Sequence, residues 1–96
     1  MKYAAVIEYI ADAAKIGELR PAHRAYLNEL LAADKLVGAG PFLDDFGALI
    51  IYEAPDAAGA EALIRADPFY VGGVFVRWTV RPWKMVFANP ALMTGA

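Results

Sequence analysis

The sequence contains no cysteine and no serine. Missing thiols exclude disulfide scaffolds, thiolate zinc sites and cysteine nucleophiles. Missing serine leaves Thr79 and Thr94 as the only aliphatic hydroxyls, so a covalent hydrolase is not expected. There is a single histidine, His23, with carboxylates scattered about it rather than spaced as metal ligands; no metal and no cofactor are expected. Positive charge is scarce, with 9 Lys and Arg against 11 Asp and Glu and a net charge of −2. Without a basic cluster there is no electrostatic case for nucleic acid or an acidic membrane surface. A phosphate-cradling glycine loop and a nucleophile elbow are lacking too. The opening Met1 to Ile7 run is interrupted by Glu8 and followed by Asp12 without a cleavage-type ending, which argues against a signal peptide. No stretch approaches the roughly 20 apolar residues of a membrane span. A soluble, cytoplasmic protein is expected.

What is present is apolar. Over 96 residues, 59% are hydrophobic, more than one modest core readily hides. A single domain over 1–96 with a self-associating face follows from that excess.

Tyr3 to Ile10 is aromatic and β-branched, apolar on both alternating faces, and reads as a strand. Ala11 to Gly17 reads as a connection. Pro21 suits the first turn of a helix running to Asp34, with Leu19, His23, Tyr26, Leu27, Leu30 and Leu31 forming its apolar stripe and Arg24, Asn28, Glu29 and Lys35 lying away from it. Leu36 to Phe42 and Ala48 to Glu53 read as strands around a turn at Asp44, Asp45 and Gly47. Pro55-Asp56 opens a second helix, with Asp56 as N-cap, an inner stripe of Ala60, Leu63 and Ile64, and a stop at Pro68. Phe69 to Gly73 leads into a last strand, Val74 to Arg81, and residues 88–96 form a loosely packed tail. The order β-α-β-β-α-β is the ferredoxin-like, α+β pattern: an antiparallel sheet with helices on one face. Its bare face carries apolar side chains in either register, and a second copy covers it most simply.

His23 lies on the apolar stripe of the first helix, where a neutral imidazole is either a core residue held by a backbone carbonyl or a general acid/base. Asp67 extends the inner stripe of the second helix, at its C-terminus, where a carboxylate opposes the macrodipole by a few tenths of a kcal/mol. It is either tied to nearby amides or faces His23, whose tautomer it would then fix. Arg20, held extended by Pro21, is either solvated or an anion ligand near the helix N-terminus. Gly38, Gly40 and Pro41 either admit a ligand close to backbone or mark a bulged strand end. Arg77 and Arg81 read as charges guarding an edge strand. Tyr26, Trp78 and Trp83 read as core or interface.

Taken in order, Arg20-Pro21-Ala22-His23 with Leu27, Gly38-Ala39-Gly40-Pro41, Ala66-Asp67-Pro68-Phe69 with Gly73-Val74, and the closing Val80-Arg81-Pro82-Trp83-Lys84 resemble the YciI-like (YCII-related) family, over Tyr3 to Phe87. The resemblance implies a ferredoxin-like fold that pairs into a dimeric α/β barrel. It implies a histidine–aspartate dyad, carried here by His23 and Asp67, with Arg20, Gly40, Pro41 and Phe69 as binding residues. A relative is a dehydrochlorinase acting on a chlorinated hydroquinone, and muconolactone isomerase shares the wider fold. Leu43 to Phe46 is shorter than the matching segment of many members, at the pocket wall.

Three functions follow as expectations. One is a cofactor-free lyase or isomerase working on a small cyclic or aromatic substrate. Another is a non-catalytic module that binds a small anionic or aromatic ligand in the same pocket. The blandest is a structural homodimer in which the dyad only ties helices to the sheet.

Overall fold

Alternation along the first strand decides which side of the sheet is covered. In the computed structural model, which describes residues 1–95, β1 (Lys2–Tyr9) buries Tyr3, Ala5, Ile7 and Tyr9 and turns Val6 and Glu8 outward. Because side chains alternate across a strand, one face becomes core and the other stays open. β2 (Leu36–Pro41), β3 (Gly47–Glu53) and β4 (Phe75–Trp83) complete an antiparallel sheet in the order β2-β3-β1-β4. Ala5 pairs with Ile50 and Val80, and Ile7 with Ala48 and Trp78, so the covered face is continuous across three strands.

The helices supply the other half of the core. From α1 (Ala13–Ala32) come Ile16 and Leu30, and from α2 (Ala57–Arg65) come Ala60 and Ile64. A single helical turn, α3 (Pro68–Val71), adds Phe69. This is a small α+β fold of the ferredoxin-like kind, in the expected element order apart from that extra turn. Asp56 caps α2 as expected, its Oδ1 accepting from the Gly59 N–H at 2.7 Å. The β2–β3 turn also falls where expected: Asp44 accepts from the Phe46 N–H at 2.9 Å, and Asp45 takes a positive φ. Strand ends differ from the expected ones by one or two residues.

The expected connection at Ala11 to Gly17 is instead the start of α1. Asp12 is the N-cap and accepts from the Lys15 N–H at 3.1 Å. Gly17 and Pro21, read as a break and a first turn, both lie inside the helix. Together they cost about 4 kcal/mol of helix propensity. Burying Ile16 and Leu30 and packing Leu19 against the core outweighs that cost, which is the usual way tertiary packing overrides propensity.

Asp67 is also repositioned. α2 ends at Arg65 with Ala66 as its C-cap, and Asp67 is the N-cap of α3, with φ −68° and ψ 132°. It therefore does not end α2 against the helix dipole. Its side chain accepts from the Phe69 N–H at 2.8 Å, and Pro68 occupies the first helical position, where no N–H is needed.

The open face carries Val6 and Leu49, both exposed, beside the half-buried Ile51. Glu8 and Arg77 lie opposite each other across β1 and β4 and form a two-pronged ion pair at 3.0 and 3.2 Å. Past β4 the chain runs exposed apart from the half-buried Met85 and passes through one 3₁₀ turn, Pro90–Leu92. Of the expected tail at 88–96, Ala96 lies outside the described residues.

Candidate active site

His23 and Asp67 meet in the core, 44 residues apart in sequence. The imidazole Nδ1 lies 2.7 Å from Asp67 Oδ1 and 2.9 Å from Oδ2. A carboxylate only accepts, so Nδ1 carries the proton and donates it. The first helix presents His23 from above the sheet. The cap geometry at Asp67 sets the carboxylate, whose Oδ1 serves both the α3 backbone and the imidazole. Phe69, two residues on, stacks on the imidazole with centroids 3.9 Å apart and planes 7° from parallel. Phe75 meets the same ring edge-on at 6.1 Å. Hydrogen bond and stacking together leave the ring no freedom to rotate.

Beside it, between α1 and the β2 side of the sheet, lies a hollow of about 470 Å³. His23, Arg20, Gly40, Pro41 and Phe69 all line it. Asp67 does not: it is fully buried behind the imidazole, so it positions His23 rather than reaching a ligand. With Nδ1 taken by Asp67, the ring atom left for the hollow is Nε2, to which no described residue hydrogen-bonds.

The expected binding residues contribute in altered ways. Arg20 is helical, the eighth residue of α1, so it is neither extended nor at a helix N-terminus. It reaches the hollow from mid-helix, with one loose contact to Asp45 at 3.9 Å. Such a half-exposed pair is worth little and leaves the guanidinium available. Gly40 pairs with Leu49 in the sheet, and a Cβ there would meet nothing within 4 Å. Its side-chain position shares the open face with Leu49, so it lines the hollow with backbone alone.

Three further residues on the wall were not singled out from the sequence. Arg24 and Asn28, read as lying away from the stripe, line the hollow four and eight residues after Arg20, and that spacing was their available signal. Tyr9, read only as a strand residue, also faces it. Among the described residues no group of His, Cys, Asp and Glu side chains is arranged to hold a metal ion. No described helix is long and apolar enough to cross a membrane.

Comparison with known proteins agrees with this architecture. The family model described as the YCII-related domain matches residues 1–84. Protein YciI of Escherichia coli O6:H1 and Protein YciI of Shigella flexneri are each 34% identical over 79 residues, covering 72% of this chain and 81% of theirs. Among solved structures, 5-chloro-2-hydroxyhydroquinone dehydrochlorinase (TftG) from Burkholderia phenoliruptrix AC1100, in complex with 2,5-dihydroxybenzoquinone, superposes with a TM-score of 0.78. It is 28% identical, and the match covers 88% of this chain and 94% of that one. On the extent of both sequence matches, the chain belongs to the YCII-related domain family.

Proposed function

We propose that this protein is a cofactor-free lyase or isomerase in which His23 moves a proton on a small cyclic or aromatic substrate. The observation that carries the reading is the 2.7 Å contact between His23 Nδ1 and Asp67, which reserves Nε2 for the hollow. An imidazole whose far nitrogen is fixed by a carboxylate has one defined tautomer and a lone pair aimed at substrate, the arrangement of a general base. Arg20 supplies positive charge where negative charge develops as the proton leaves. The dehydrochlorinase TftG supports this class of chemistry as a structural neighbour. The working unit is a homodimer joined through the open sheet face, and its place is the cytoplasm. The exposed Val6 and Leu49 on that face favour self-association, and a chain without cysteine suits a reducing compartment.

The test is chloride release from 5-chloro-2-hydroxyhydroquinone together with deuterium uptake from solvent into 2,5-dihydroxybenzoquinone. Wild-type protein is expected to catalyse at least one of these, and His23→Gln neither. Binding of both compounds without conversion or exchange would instead establish the ligand-binding module.

A further inference from the structure

Tyr9 is a buried polar wall residue that the dyad leaves unexplained. It is 5% exposed and lines the hollow. Its ring is fixed on two sides, edge-on to Phe69 at 5.2 Å and parallel to Phe75 at 5.8 Å, the same two rings that hold His23. One end of its backbone is fixed as well. Its N–H donates to the Phe46 carbonyl at 2.9 Å, and the β1–β4 register shifts between Glu8 and Tyr9. Bulges of this kind re-aim a side chain and are common beside active sites.

Yet no described residue hydrogen-bonds the Tyr9 hydroxyl, and that oxygen is not sealed from solvent, unlike the hydroxyl of Tyr52. Tyr26, by contrast, spends its hydroxyl on the Leu63 carbonyl at 2.6 Å. A rigidly held phenol with an unused donor, in a hollow that also presents a fixed imidazole, is equipped to hold an oxygen of the ligand.

We propose that Tyr9 is a second catalytic residue, and that the substrate is the keto form of a hydroxylated ring, whose carbonyl oxygen accepts the Tyr9 O–H while His23 Nε2 takes a proton from the adjoining sp3 ring carbon. The inference rests on the proton-transfer reading of the same site and narrows its substrate class. As the C–H bond breaks, its electron pair becomes the enolate double bond, and the carbonyl π pair moves onto oxygen. Tyr9 donates to that oxygen, and Arg20 lies on the same wall as a counter-charge. Return of the proton from the imidazolium to another carbon completes an isomerisation. Departure of a halide with its bonding pair from the next ring carbon, as the carbonyl re-forms and the enolate pair makes the new C=C, completes an elimination, and the imidazolium passes its proton to solvent. Burial, and then the Asp67 carboxylate, push Tyr9 up to about 12, so at neutral pH the hydroxyl keeps the proton it donates.

The experiment titrates wild type, Tyr9→Phe and His23→Gln with 2,5-dihydroxybenzoquinone and, as the same ring without oxygens, benzene. Losing one hydrogen bond of about 1 kcal/mol predicts roughly five- to tenfold weaker binding of the quinone to Tyr9→Phe, with benzene unaffected. Unchanged quinone affinity in Tyr9→Phe overturns the proposal. So does an equal loss for both rings, which would mark a packing effect, and so does a wild type that ignores the quinone. Nitrogen NMR of His23 reports the dyad separately. A ring protonated at Nδ1 with Nε2 free upholds the proton-transfer reading even where Tyr9 fails, whereas the opposite tautomer removes it.

Discussion

Asp67 Oδ1 accepts from two N–H groups at once, the Phe69 backbone at 2.8 Å and His23 Nδ1 at 2.7 Å, so one atom serves both the cap of a helical turn and the imidazole. On the proposed proton-transfer role, folding and chemistry are coupled there, and an isosteric change separates them. In Asp67→Asn the amide oxygen can keep the Phe69 contact. An amide nitrogen in place of Oδ2 would then lie 2.9 Å from Nδ1, N–H against N–H. The ring relieves that clash by moving its proton to Nε2, which removes the base. Stability is expected to fall by about 1–3 kcal/mol. Proton transfer is expected to fall on the order of 10⁴-fold, the scale seen when a triad aspartate is replaced the same way. Thermal melting and solvent-deuterium exchange measure the two effects independently.

Much of the site was legible in the sequence because two polar residues stood where the pattern called for apolar ones. His23 on the stripe of α1 and Asp67 beyond the stripe of α2 broke local rules, and such breaks concentrate at functional sites. The helix boundary around them was not legible. Gly17 and Pro21 are strong local punctuation, and only the tertiary burial of Ile16 shows that they lie within α1. Asp67 was read at the end of one helix when it begins another, because a four-residue turn such as α3 has no periodicity to detect. Tyr9 was invisible for a different reason. Alternation puts it on the covered face of β1, but not whether that face meets a helix or a hollow at that point.

Alkaline pH should unfold the protein through its tyrosines. Tyr9 is raised by burial and then by Asp67, and Tyr26 is raised in the same way, each to about 12. Tyr52 is raised further still, first by burial, with its hydroxyl unpartnered. In the unfolded chain these phenols ionise near 10. Below that pH both states hold the protons and stability is unaffected. Between about 10 and 12 the unfolded state alone releases them, so stability falls as pH rises. Tyr9 alone contributes a loss on the order of 2–3 kcal/mol across that window. Circular dichroism and tyrosinate absorbance should change together, and the transition should move to higher pH in Tyr52→Phe. Tyrosinate formation well before any loss of structure would contradict this.

The open face of the sheet gives a prediction about assembly. Val6 and Leu49 are 49% and 42% exposed, and Phe42 and Phe46 stand exposed at one end of the sheet. Gly38 and Gly40 add no side chains beside Leu49 and Ile51, leaving a shallow trough along that edge. A second copy needs to cover about 800 Å² per partner for a stable pair. On the proposed homodimer, the wild type is expected to sediment as a dimer and Val6→Lys with Leu49→Lys as a monomer at the same concentration. The His23–Asp67 contact, on the covered side of the sheet, should survive unchanged in the NMR spectrum.

Pro21 gives a prediction in which stability and function move in opposite directions. It is the ninth residue of α1 and cannot donate to the Gly17 carbonyl one turn back, and its ring crowds that carbonyl. With glycine at position 17, where a Cβ would meet nothing within 4 Å, the turn can yield without disturbing a side chain. Arg20 and His23, on either side of Pro21, both line the hollow. Pro21→Ala restores the missing hydrogen bond and is expected to stabilise the helix by about 1–3 kcal/mol, raising the melting temperature. A change in backbone geometry at this turn shifts Arg20 relative to His23, and affinity for 2,5-dihydroxybenzoquinone is then expected to fall even as the protein becomes harder to melt. A variant that melts higher and binds as well as wild type would mean that the proline has no part in aiming the site.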